Sequence, residues 1–292
     1  MKIRLNPALG FAAILAAGFG PLASASIFSD KIDTLIIAEH PPGAPASTGP
    51  ISFIAFDGGY IEAGDPIAGD TPPTPQQVEQ SVHAALLSQG FRAAAGTPSV
   101  VLTYHWGVLR VDHREIRIPY GIKPNLEARI DLVSTQQMGD EVKNHILIGK
   151  KGSGLNSDAA SPAILVGPLE TIRQDSRQPR IFIVISAYDY QSLAHREAKL
   201  LWRVKLSTQE QSGEMNDVIP AMIAGGAPYF GKNLPGLKDI DVSPAGNLMA
   251  SGSNDYNPNP ESYQLDKGFI ADLLRSEHSR ISGVTDEHGQ GN

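Results

Sequence analysis

The sequence contains no cysteine in 292 residues. That removes a disulfide framework, a thiolate metal site, a cysteine nucleophile and the acylated residue of a lipoprotein anchor. Aromatic residues are scarce at 7%, so a core is affordable but not a rich one. Positive charge is also thin, with 24 lysines and arginines against 31 acids and a formal net charge of −7. The basic residues are dispersed, and their densest cluster, His113 to Arg117, includes Glu115. A nucleic-acid-binding face needs concentrated cations to release counterions from phosphates, so nucleic acid is not an expected partner. The mature chain carries no expected transmembrane segment, because no apolar run in it reaches the ~20 residues a spanning helix needs. Catalytic signatures are missing too: no HExxH, no His-x-His and no Gly-x-Ser-x-Gly elbow. Gly149 to Gly154 is like a phosphate loop in composition only and reads as a flexible loop. No cofactor is implied.

What is present begins at the N-terminus. Lys2 and Arg4 are followed by the short apolar run Leu9 to Phe19 and then by Ala23-Ser24-Ala25. A basic start, a short hydrophobic stretch and a small-residue cleavage signature predict a secretory signal peptide over 1–25, cut before Ser26. The expected destination is the periplasm or the extracellular space.

Residues 26–50 read as a strand, Ile32 to Ala38, and a proline-rich linker from Pro41 to Pro50. Residues 51–236 read as the folded domain. Ile51 to Phe56 is strand-like and ended by Asp57-Gly58-Gly59. Thr74, Pro75 and Gln77 form a capping-box signature, Val78, Val82, Ala85 and Leu86 follow helical spacing, and Gly90-Phe91 is a stop. The expected helix runs from Pro75 to Gln89. Val100 to Leu109 alternates as a strand, with Val100, Leu102, Tyr104, Trp106 and Val108 on one side. Ile181 to Tyr190 and Leu200 to Ser207 form a hairpin, with Arg203, Lys205 and Ser207 on its outer face. A short helix follows around Val218 to Ile223. Residues 112–179 read as an insertion with short helical stretches. Residues 237–292 read as a largely irregular tail, apart from an amphipathic patch from Leu265 to Leu274. The expected class is α+β: a mainly antiparallel sheet with two helices packed on one face, a long insertion and a flexible C-terminal tail.

Several residues stand out against this background. Asp57, Glu62, Asp65 and Asp70 share one glycine-rich stretch, an oxygen-rich set of the kind calcium takes, although the spacing matches no EF-hand and a plain acidic turn is the default. Asp189 ends an apolar strand between Tyr188 and Tyr190, where a carboxylate needs a partner such as Arg196 or Arg203. Tyr104, Trp106, Tyr188 and Trp202 either line a ligand groove or belong to the core. Asp189, Arg203, Tyr104, Trp106 and Trp202 are therefore the candidate contact residues, and no residue is assigned a catalytic or metal-binding role beyond the weak calcium set.

Leu86 to Phe91, Pro98 to Tyr104, and Tyr188-Asp189-Tyr190 through Leu200-Leu201-Trp202-Arg203 together resemble a group of uncharacterised bacterial envelope proteins, often lipoproteins. Their shared pieces are packing motifs, and this chain departs from them in lacking the lipid-anchor cysteine and in its 112–179 insertion. The resemblance implies an envelope address and no functional residue. The expectation from the sequence is an exported, non-enzymatic module that binds an envelope protein or a small ligand. The alternative is an exported hydrolase whose site is assembled only by the fold.

Overall fold

The computed structural model describes residues 31–43, 51–67, 71–112, 124–151, 167–243 and 258–283. The signal-peptide reading, His113, Asp70, linker residues 44–50 and residues 152–166 of the insertion lie outside that set.

Seven strands form one mixed sheet: β1 (Ile32–Glu39), β2 (Ser52–Ala63), β3 (Arg92–Ala93), β4 (Val100–Leu109), β5 (Arg180–Asp189), β6 (Leu200–Gln209) and β7 (Leu237–Val242). Their order is β3-β2-β4-β5-β6-β1-β7. β2 runs parallel to β3 and β4, while the other four pairings are antiparallel. The chain is therefore α+β as expected, but its sheet is mixed. A parallel β2–β4 pair requires a crossover between them, and the helix α1 (Pro75–Ser88) provides it.

α1 starts and stops where its local chemistry dictates. The Thr74 hydroxyl accepts the Gln77 N–H at 3.3 Å, and the Gln77 side chain accepts the Thr74 N–H at 2.7 Å. Gly90 takes the left-handed conformation (φ +84°), and the Phe91 N–H closes back on the Leu86 carbonyl at 3.2 Å. The buried residues of α1 are Val78, Val82, Ala85 and Leu86. Together with α6 (Met215–Gly226) it covers one face of the sheet, burying Phe53, Leu102, Tyr104, Trp106, Ile183, Ile185, Trp202 and Leu206 in a continuous apolar core.

The opposite face is covered as well, which the expectation of helices on one face did not include. Within 112–179 lie α2 (Pro124–Leu132), α3 (Gln136–Lys151) and α4 (Pro168–Asp175). They pack Ile130, Val133, Val142 and Ile172 against Leu35, Ile37, Phe182 and Val184. The stretch read as an insertion is a layer of the domain. The segment read as a largely irregular tail likewise contributes edge strand β7 and a 16-residue helix, α7 (Lys267–Ser282), capped by Asp266. α7 and the turn before it bury Leu265 and Ile270 beside Ile54, Phe56, Val101 and Tyr188. α5 (Tyr190–Ala194) fills the connection between β5 and β6.

β2 does not end at Asp57-Gly58-Gly59. Asp57 pairs with Tyr104 and Tyr60 with Trp106, so the glycines form a bulge inside a longer strand. A β-carbon on Gly58 would stand 2.2 Å from His105 Nε2, so only glycine lets that imidazole lie against the strand. Among the described residues, no helix is long and apolar enough to cross a membrane.

Candidate functional site

Strand alternation sends Thr103 and His105 of β4, Ser186 of β5 and Arg203 and Lys205 of β6 to the face opposite α1 and α6. The sheet registers set Ser186 opposite both Thr103 and Arg203. These polar groups separate the two apolar clusters of that face, and α7 lies over them. Glu277, on the inner side of α7 and 4% exposed, is the hub. One carboxylate oxygen accepts the Tyr188 hydroxyl at 2.7 Å and Arg203 Nη2 at 3.0 Å. The other accepts the Thr103 hydroxyl at 2.5 Å and lies 3.9 Å from His105 Nδ1. His105 Nε2 donates to the Leu274 carbonyl at 3.1 Å, and Arg203 Nε donates to the Ser186 hydroxyl at 2.9 Å.

Burial would push the Glu277 carboxyl up, but Arg203, the Thr103 hydroxyl and the Tyr188 hydroxyl outweigh it and hold the group below its ordinary range. Burial pushes the Tyr188 phenol up, and the Glu277 charge adds to that. Burial also lowers His105, against the pull of Glu277, so the ring is neutral at pH 7. Lys205 is pushed down to about 8 by burial, opposed by Glu39. Its ammonium donates to the Asp131 and Ser134 carbonyls at 2.9 and 2.6 Å, tying β6 to the α2–α3 junction.

A carboxylate, an imidazole and a hydroxyl in one place invite comparison with a hydrolase triad. The geometry differs. Thr103 bonds to the carboxylate, not to the imidazole, and the imidazole spends its N–H on a backbone carbonyl. Thr103 and His105 are 0% and 1% exposed. A base must reach the nucleophile's proton and a third group must orient the base. Here the three groups fasten α7 to the sheet.

At the edge of this network, around the end of β1, lies an open groove of about 890 Å³. Arg203 and Glu39 supply charge, while Ala38, Pro42, Met138, Leu200 and Leu234 supply apolar wall. Glu39 takes the Gln136 N–H at 3.1 Å, capping the start of α3, and lies 3.4 Å from Lys205. Among the described residues Arg203 bonds through Nε and Nη2 and not through Nη1, and its side chain is 14% exposed. The groove therefore joins an apolar wall to a guanidinium held rigid from behind.

Of the residues singled out in the sequence, only Arg203 lines this groove. Tyr104, Trp106 and Trp202 lie on the other side of the sheet, within the α1/α6 core; Trp202 stacks on Phe230 at 6.2 Å. Asp189 caps α5, accepting the Ser192 N–H at 3.5 Å, while Arg196 pairs with Asp266 and Arg203 with Glu277. Arg203 and Lys205 do not lie on an exposed outer face: α7 and α2 cover it, and Lys205 is 7% exposed. In the calcium set, Asp57 accepts the Gly59 N–H at 2.8 Å and Glu62 pairs with Arg110. Asp70 lies outside the described residues, among which no group of three metal-ligating side chains forms.

The sequence reading missed Glu277. Its signal is present, because Ile270, Glu277 and Ile281 recur at i, i+7 and i+11, which sets an acid in the buried stripe of a helix.

Comparison with known proteins gives distant likenesses. No protein-family model and no curated sequence matches the chain. Two solved structures of the PelC dodecamer from Paraburkholderia phytofirmans are 10% and 11% identical to it, with TM-scores of 0.31 and 0.32; each match covers 69% of this chain and 99% of that one. A PDZ domain protein from Parabacteroides distasonis is 7% identical with a TM-score of 0.38, over 73% of this chain and 39% of that one. At these scores the likenesses bear on neither the fold nor the chemistry.

Proposed function

We propose that this chain is an exported, non-enzymatic binding module of the bacterial envelope, and that it holds a segment of an envelope protein or a small ligand in the groove around the end of β1. The observation that carries this reading is Arg203. Its Nε and Nη2 are locked by Ser186 and Glu277, and its Nη1 takes no bond among the described residues at the wall of an open groove. A pre-oriented donor beside apolar surface favours recognition, since little side-chain entropy is lost on binding. The export part of the reading rests on Lys2, Arg4, the Leu9 to Phe19 run and Ala23 to Ala25.

The test uses the tagged mature chain and a Leu234→Arg variant, which blocks the groove from its half-buried wall. Capture from envelope extracts, with melting shifts in an envelope-metabolite screen, is expected to yield a partner or ligand that the variant loses. The proposal fails if nothing binds, or if the variant binds equally. Cell fractionation tests the address: a processed form beginning at Ser26 supports it, and an intact Met1 form in the cytosol refutes it.

A further inference from the structure

A second, smaller cavity of about 430 Å³ lies away from the groove, between the β3–β4 connection and the turn that precedes α7. Its walls are Ala95, Gly96, Thr97, Tyr190, Ser262, Tyr263 and Gln264. Its size falls within the range of about 300–1,000 Å³ usual for small-ligand sites. Every one of these side chains is uncharged. Among the described residues that line it an anion would find no cation and a cation no carboxylate, so the chemistry suits a neutral ligand.

The polar groups are also unspent. The hydroxyls of Thr97, Ser262 and Tyr263 and the amide of Gln264 make no hydrogen bond among the described residues, whereas Tyr190 donates its hydroxyl to the Tyr263 carbonyl at 2.9 Å. That bond ties the pocket's aromatic wall to the backbone that carries its hydroxyls and amide. Tyr190 is 6% exposed and backs the cavity from the core, so a ligand meets several free hydroxyls, one amide and the half-buried Tyr263 ring, and needs alternating hydroxyls and a C–H face. Saccharides have both.

Gln264 adds an independent pointer. It holds φ 56°, ψ 28° at the end of the turn over Pro260–Tyr263, with its N–H closing on the Glu261 carbonyl at 3.1 Å. Glycine takes this left-handed position freely, and a residue with a β-carbon takes it at a cost. The turn needs the backbone conformation; it does not need the amide. The Gln264 side chain is therefore not required by the turn, and it lines the open cavity.

We propose that this cavity is a binding site for a neutral saccharide, with Tyr263 as the aromatic wall, held from behind by Tyr190, and Gln264, Thr97 and Ser262 as hydrogen-bonding groups. The site is independent of the groove, and its failure would leave the groove reading untouched. The test is saturation-transfer NMR and calorimetry on the full mature chain with maltose and N,N′-diacetylchitobiose, and glucuronate as the anionic control. Saturable binding of at least one neutral disaccharide is expected, with no binding of glucuronate. Gln264→Gly removes the amide while easing the backbone, so it should melt at or above the wild-type temperature yet bind about tenfold more weakly, the size of one lost hydrogen-bonding group. Tyr263→Phe, which keeps the ring and the packing, should weaken binding without unfolding. The proposal is overturned if neither disaccharide binds, if glucuronate binds as well as they do, or if both variants bind like wild type.

Discussion

The two faces of the sheet are held to their helices by different physics. Beneath α1 and α6 the contact is mainly apolar, from Phe53 to Leu206, with the His83 ring of α1 edge-on to Phe53 at 5.1 Å, and close packing with water exclusion accounts for most of it. Beneath α2–α4 and α7, apolar clusters alternate with buried polar staples. Glu277 gathers Thr103, Tyr188 and Arg203; Lys205 holds two carbonyls of the α2–α3 junction; and Arg129, 1% exposed, donates to the Ser176 and Arg110 carbonyls at 2.7 and 2.6 Å. An apolar face tolerates a small change of shape at moderate cost. A stapled face tolerates the loss of both partners better than the loss of one, because a single buried charge left behind has no solvent to turn to.

That contrast can be broken most directly at Glu277. Glu277→Ala leaves Arg203 uncompensated and should cost about 3–5 kcal/mol, measured by urea unfolding. The double variant Glu277→Leu with Arg203→Met should recover most of that loss; if it is as unstable as the single variant, the network is not an ion-pair staple. On the apolar face, Leu86→Ala, at a fully buried position, should cost about 2–5 kcal/mol by the same measurement, with the same value at pH 5 and pH 7.5.

Burial lowers the pKa of His83 on the α1 face as well, so acid sensitivity is expected on both faces, with more of the titrating groups on the stapled one. His105 has its pKa lowered from 6.5 by burial, with Glu277, His278 and Arg280 as its charged or titratable neighbours. The unfolded chain therefore binds more protons below pH 6.5, and stability falls as pH drops from there through the lowered folded value. Glu277 has its pKa lowered from 4.5, so its contribution is present above that value and is lost as pH falls through its folded pKa. Each group contributes a slope of up to about 1.4 kcal/mol per pH unit within its window. His105→Gln should flatten the first part of the acid loss; an unchanged profile would remove His105 from the explanation. Lys205 acts at the other end. Its pKa is near 8 when folded and 10.5 otherwise, so stability should rise between those values and a Lys205→Met variant should lose that rise. The smallest effect lies at the end of α1, where Thr74→Ala removes one half of the capping box and should cost about 1 kcal/mol.

The same contrast explains what could be read from the sequence. Val78, Val82, Ala85 and Leu86 announce a helix because apolar periodicity maps directly onto burial, and β4, β5, β6 and α6 are legible for the same reason. On the other face the alternation misleads. Arg203, Lys205 and Ser207 have the pattern of a wet strand face, and only helices distant in sequence turn that face into an interior. In 237–292 the amphipathic patch Leu265 to Leu274 marks the first half of α7, but not the second half, where the buried stripe includes the acid Glu277. Of the groove, Arg203 was legible as a residue but not as a wall, since its neighbours Glu39, Met138 and Leu234 meet it only in the folded sheet. Asp189 was legible as a constrained carboxylate; its actual partner, a helix N–H three residues on, is a local capping bond and not the arginine that charge alone suggests.

The position of β1 has a consequence for how the molecule is made. The first of the described strands sits between β6 and β7, with Leu35 opposite Ser207 on one side and Asp239 on the other. Its backbone cannot find its neighbours until some 170 further residues have been synthesised, so during synthesis the leading end waits unpaired. β2, β4 and β5 can pair with one another before then, so the earliest of these strands to be made is among the last to be seated.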